Sequence, residues 1–218
     1  MGARFEVLPG VRKVFDSIVK TYVDTHGAEA LMPRRKEPLD TFRLARLFGF
    51  ANGVKLGTKS VDWNNTYWLA WRALVSVGFA AAFRKAELVL PAGVKLSHND
   101  LTRASVSWII GGVSVAGPSE EQLGGLVTGD YCVVKPPTSK ADPFGLHFCW
   151  KPIFLPFENT ATNAAKNASE YFVATPIELG RRASTALFCL DAAGTTFSQD
   201  EISRLLQHAL KVAFPSDD

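Results

Sequence analysis

Few residues in this chain are of a type and spacing that could do chemistry. GxSxG, HExxH, GxxxxGK[ST] and a strand-following GxGxxG are all absent. The four histidines, His26, His98, His147 and His208, are scattered and form no ligand pair. Cys132, Cys149 and Cys189 are odd in number, with neither CxxC nor Cys/His ligand spacing. That argues against a disulfide framework and a zinc site, and implies a reducing, intracellular setting. No metal and no cofactor is expected. What remains is cationic. Arg84-Lys85-Ala86-Glu87-Leu88 closes an unusually apolar stretch, and Lys140 stands within the polar run from Pro136 to Gly145. A guanidinium is a planar, two-pronged donor to oxyanions, and a lysine changes pKa readily with its surroundings. Taken singly, each has a plainer reading: Arg84 and Glu87 as an i,i+3 ion pair at a helix end, Lys140 as a solvated turn lysine.

The elements that must position these residues follow from apolar periodicity and breakers. After Pro9, residues Val11, Val14, Phe15, Ile18, Val19 and Tyr22 fall on one helical face. Residues 27–37, with Met32-Pro33-Arg34-Arg35-Lys36 before Pro38, read as a linker. Asp40 is placed to cap a second helix through Leu47 and Phe48, and Gly49 to Gly57 supply a loop. Asp62 to Ala86 reads as a long buried helix bearing Trp63, Trp68, Leu69, Leu74, Val75 and Phe79.

Three segments rich in β-branched and aromatic residues read as strands: Ala104 to Val113, Asp130 to Lys135 and His147 to Leu155. The last two flank a hairpin with Lys140 near its tip; Lys135 and Lys151 are the other lysines on that hairpin. Helical character returns from Thr160 to Val173. A short apolar run, Ala186 to Leu190, precedes a turn at Gly194. Ser198 and Glu201 form a capping-box pattern ahead of Ile202, Leu205, Leu206, Ala209 and Val212, which predicts a final helix. Helices, then adjacent strands, then helices indicate an α+β fold with a small three-stranded antiparallel sheet.

The chain has 218 residues, 47% hydrophobic and 21% charged, which is enough for one sizeable core and excludes general disorder. Its N-terminus lacks a signal-peptide stretch. The most apolar segment, Trp63 to Phe83, is interrupted by Asn64, Asn65, Arg72 and Gly78, so it reads as a buried helix and no membrane partner is expected. The net charge of +3 is uneven: residues 1–60 carry 11 Lys and Arg against 6 Asp and Glu, and residues 61–218 carry 13 against 15. A basic front is compatible with nucleic acid, but a solvated surface is the plainer reading.

Arg84 and Glu87 after a buried helix, then strands with Lys140 on the second hairpin, then Leu187-Phe188 and a Gly194 turn before a capped helix, make an ordered combination. It resembles the catalytic domain of the tyrosine recombinases, or phage-type integrases. The Ser139 to Gly145 turn is similar to that of recombinases from eukaryotic mobile elements. The resemblance implies a mainly helical, integrase-like catalytic domain over residues 34–218, with residues 1–33 as the end of a DNA-clamping helical domain and its linker. It also implies DNA recombination or integration as the function, with double-stranded DNA as partner. The location would be the nucleus in a eukaryote and the cytoplasm otherwise.

In that family Arg84 would clamp the non-bridging oxygens of a phosphodiester, Glu87 would hold Arg84, and Lys140 would protonate the departing 5′ oxygen. The family's His-x-x-Arg and nucleophilic tyrosine have no counterparts before Asp218, and none of Tyr22, Tyr67, Tyr131 or Tyr171 fits the nucleophile's place. The expectation is an incomplete or inactive form that does not cleave DNA, and that self-associates or pairs with a full-length recombinase. A non-catalytic DNA-binding or recombinase-regulating protein is the alternative, and an unrelated α+β protein is a third.

Overall fold

The computed structural model describes residues 17, 20, 21, 24, 25, 39–90, 94–97, 99–137, 151–191 and 193–215. The chain divides into two compact units, residues 1–38 and 39–218. In the first, Ser17, Lys20, Thr21, Asp24 and Thr25 are helical and exposed. The hydroxyls of Thr21 and Thr25 donate to the carbonyls of Ser17 and Thr21, at 3.0 and 2.8 Å. The apolar residues expected on the inner face of that helix lie outside the described residues.

The second unit begins at Asp40, whose carboxylate accepts from the Arg43 amide at 2.7 Å and starts α1 (Thr41–Phe48). This helix buries Leu44, Leu47 and Phe48. A small antiparallel hairpin follows, β1 (Lys55–Leu56) with β2 (Lys59–Ser60). Gly57 in its turn has φ +64°, which favours glycine, and a Cβ there would lie 3.1 Å from the His208 ring, a tight contact.

Helix α2 (Thr66–Ala80) is capped by the Asn65 side chain, which accepts from the Tyr67 amide at 2.9 Å. It buries residues on nearly every side, Trp68, Trp71, Leu74 and Val77 among them, as a central core helix must. Truncating Trp71, which is completely buried, would cost about 3–5 kcal/mol. Arg72, the charge inside this apolar run, forms an ion pair with Glu170 and lies 5.3 Å from the centre of the Trp63 ring.

The helix stops at Ala80, before the Ala86 expected from hydropathy. Ala82 adopts a left-handed φ of 53°. The amides of Ala82 and Phe83 donate back to Phe79 and Gly78, at 3.3 and 3.0 Å. That is a Schellman ending, with alanine where glycine is usual. Apolar composition continues through the break, so hydropathy alone conceals it. A short helix, α3 (Lys85–Leu88), follows. It lies close on α2 because Gly78 has no side chain: a Cβ there would meet Leu88 Cδ1 at 2.6 Å.

Among the described residues the main sheet has four strands, which corrects the expected three. The segment read as one strand to Val113 is β3 (Val106–Ile110), folded back as β4 (Val113–Val115) through Gly111 and Gly112. Both glycines have positive φ, 57° and 81°, as a two-residue hairpin loop requires. The helix α4 (Glu120–Gly124) precedes β5 (Tyr131–Val134), which pairs with β3, and β6 (Ile153–Pro156) pairs with β5. The order is β4-β3-β5-β6, antiparallel throughout. Buried Asp130 ties the sheet end together, accepting from the Gly111 and Val127 amides at 2.9 Å each.

Helix α5 (Ala164–Ala174) packs along α2 and also meets β5 and β6, so it joins helical layer and sheet. Trp108 of β3, fully buried, meets Phe172 edge to face with ring centres 6.0 Å apart. The last helix, α6 (Gln199–Ala213), packs on α1 and β1. Ser198 caps it, accepting from the Glu201 amide at 3.1 Å. Glu201 does not return the bond as the capping-box pattern predicts; its carboxylate accepts from the Tyr67 hydroxyl at 2.7 Å. The fold is α+β, and among the described residues no helix is long and apolar enough to cross a membrane.

Candidate functional site

The break after α2 determines how Arg84 is presented. Left-handed Ala82 turns the chain away from the helix axis, and Arg84 follows in extended conformation, φ −72° and ψ 149°, as the residue before α3. Its amide donates to Glu87 Oε2 at 2.7 Å. Glu87 therefore grips the Arg84 backbone and neutralises an otherwise orphaned donor at the helix entrance. The i,i+3 ion pair read in the sequence is not formed among the described residues; the Glu87 carboxylate accepts from the Arg84 backbone amide in its place. Among the described residues the Arg84 guanidinium has no hydrogen-bond or ion-pair partner, and the residue is exposed.

Helix α6 holds this corner from the other side. Lys85 Nζ donates to Ser203 Oγ at 2.6 Å, and the Gln199 side-chain amide donates to the Val89 carbonyl at 3.2 Å. Ser203 in turn donates to the Gln199 carbonyl at 3.0 Å. The signal for these partners in the sequence is faint: Gln199 and Ser203 are one helical turn apart on α6, and nothing in the sequence names α3 as their neighbour. Lys59 adds a further cation on β2, 3.9 Å from Glu201 and over the Tyr67 ring at 4.3 Å.

Lys140 lies outside the described residues. It belongs to the connection between β5 and β6, whose pairing brings Val134 opposite Ile153. Lys135 and Lys151, at the two ends of that connection, are both exposed. The structure thus brings Arg84 and Glu87 together, and Lys140 is not among the residues it describes.

Two of the described tyrosines, Tyr67 and Tyr171, are poor nucleophiles. Burial and the adjoining Glu201 carboxylate push the Tyr67 phenol well above its ordinary pKa. Tyr171 is fully buried and donates to the Leu187 and Cys189 carbonyls, at 3.2 and 2.7 Å; burial raises its pKa too. Tyr131 is half-buried, its ring edge-on to Phe154 at 6.3 Å. Cys132 and Cys189 are buried free thiols, and burial pushes the Cys132 thiol up to about 12. Among the described residues no group of three or more His, Cys, Asp or Glu could hold a metal ion.

Two further arginines that the sequence does not single out, Arg103 and Arg182, are buried. Both precede or follow polar turn residues in the sequence, where a solvated arginine is the ordinary reading.

An exposed guanidinium on an anchored backbone can donate two hydrogen bonds to a phosphate or carboxylate arriving from solvent. No protein-family model matches the chain, and neither a curated protein nor a solved structure matches it significantly.

Proposed function

We propose that this chain binds double-stranded DNA as a tyrosine recombinase-like protein of recombination or integration, with Arg84 as a phosphate clamp and Glu87 as the residue that positions it. The observation that carries this reading is the Arg84 corner: a guanidinium without a partner among the described residues, exposed on a backbone fixed by Glu87 and braced by α6. Lys140, in the connection between β5 and β6, is the proposed proton donor to a departing 5′ oxygen. The described tyrosines favour the non-catalytic form of this reading. Tyr67 and Tyr171 are both held as hydrogen-bond donors and shifted against ionisation, so neither is prepared to attack a phosphodiester.

The test is binding to a fluorescent duplex, followed by anisotropy across a salt series. Affinity should fall steeply with salt. Arg84→Ala should weaken binding about tenfold at low salt and reduce the salt slope by about one phosphate contact. Binding that ignores salt, or an Arg84→Ala protein that binds as the parent does, sinks the proposal. A nicked duplex offered to the same protein should yield no covalent adduct. An adduct that survives denaturation would show strand-cleaving chemistry and overturn the non-catalytic form.

A further inference from the structure

The two buried arginines meet where two 3₁₀ turns pack together, Arg103–Ser105 before β3 and Leu179–Ser184 after α5. Arg103 is 1% exposed and Arg182 7%. The Arg103 guanidinium lies over the rings of Tyr171 and Phe172, at 4.3 and 4.2 Å from their centres. It donates to the Thr175 hydroxyl and approaches Cys189 Sγ at 3.7 Å. Its Nε has no partner. Arg182 donates from Nη2 to the carbonyls of Arg103 and Val106, at 2.8 and 2.9 Å.

Every one of these partners is neutral. Among the described residues no carboxylate forms an ion pair with either arginine, and Arg103 is itself among the causes that lower the Arg182 pKa, after burial. Two like charges out of water, without a counter-charge, form an arrangement that proteins seldom keep. Aromatic faces and carbonyls offset part of the cost and leave the net charge in place.

The same two arginines line one cavity of about 110 Å³. Its other walls include Gly117, Pro118, Phe172 and Leu179. Gly117 leaves room that Leu179 occupies, since a Cβ at that position would collide with the leucine side chain. Leu179 is 69% exposed, so the apolar rim is open to solvent at that point. Glu120 also borders the cavity and makes no ion pair with either arginine.

We propose that this cavity binds a small free oxyanion of the phosphate type, held by the Arg103 and Arg182 guanidinium groups. The anion supplies the missing counter-charge, and the Glu120 carboxylate on the wall is paired with neither arginine. A duplex backbone cannot reach arginines so enclosed, so this site is separate from the Arg84 corner and does not depend on the DNA reading.

Thermal unfolding with inorganic phosphate, at ionic strength held constant with chloride, tests this directly. At phosphate about a hundredfold above its Kd, the midpoint should rise by about 5–10 °C. Arg182→Gln should weaken the phosphate response at least about tenfold, the loss of one charge-assisted contact. If that variant does not fold, Leu179→Glu serves in its place, because it alters an exposed rim residue. Its carboxylate should occupy the site from within, raise the midpoint without phosphate and abolish the response to phosphate. Arg84→Ala should respond to phosphate as the parent does. The proposal fails if phosphate matches chloride, if the Arg182→Gln or Leu179→Glu protein responds as the parent does, or if Arg84→Ala removes the response.

Discussion

Arg84 and the pair Arg103 and Arg182 present the same functional group under opposite solvation. Arg84 stands in water, its charge costs little to keep, and its backbone is the ordered part, tied by Glu87 and α6. Arg103 and Arg182 are enclosed, their guanidinium groups are the ordered part, and their hydrogen bonds hold together the turn before β3. An exposed cation is free to meet a large anionic surface. An enclosed one serves the fold first and takes only a ligand small enough to enter.

The sharpest break of this contrast is Arg182→Ala. It leaves the Arg103 and Val106 carbonyls without their buried donor, and should cost about 3 kcal/mol in urea unfolding. Duplex affinity of the folded fraction should not change. A loss below about 0.5 kcal/mol, the ordinary surface range, would show that the pair is not structural.

Glu87→Ala should cost about 1 kcal/mol, the usual worth of a helix-entrance bond. Under the DNA-binding proposal it should also weaken duplex binding by less than Arg84→Ala does, since it releases the clamp's backbone and leaves its charge. Equal effects of the two variants on DNA would assign Glu87 a more direct part.

Ala82→Gly should raise stability by about 0.5 kcal/mol, because glycine relieves the left-handed strain and gives back part of that gain as unfolded-chain entropy. A fall in the unfolding midpoint would show that this turn is not strained. The smallest effect belongs to Arg84→Ala, which should change stability by less than about 0.5 kcal/mol, since its side chain has no partner among the described residues. A larger loss on denaturant unfolding would make Arg84 a structural residue and narrow the contrast with Arg182.

Local signals were legible where local physics decides. Asp40 and Ser198 cap their helices as residue type and position indicate, and the largely apolar stretch around Trp68 and Trp71 is the buried central helix. Gly111-Gly112 also carried a readable hairpin signal, and its two positive φ angles make the fourth strand. The end of α2 was not legible, because alanine occupies the place where glycine would mark the break and the apolar pattern runs on regardless.

The sequence alone determined the residue types at the candidate sites, the helix entrances at Asp40 and Ser198 and the α+β class, since these follow from side-chain chemistry and short-range periodicity. Tertiary structure alone decided which cations are free. Glu201 turns from its expected cap to Tyr67, 134 positions away, and Arg182 reaches carbonyls 79 and 76 positions back along the chain. Arginine reads the same in sequence whether solvated or enclosed. Its role depends on dielectric surroundings and on long-range partners, which exist only once the chain has packed.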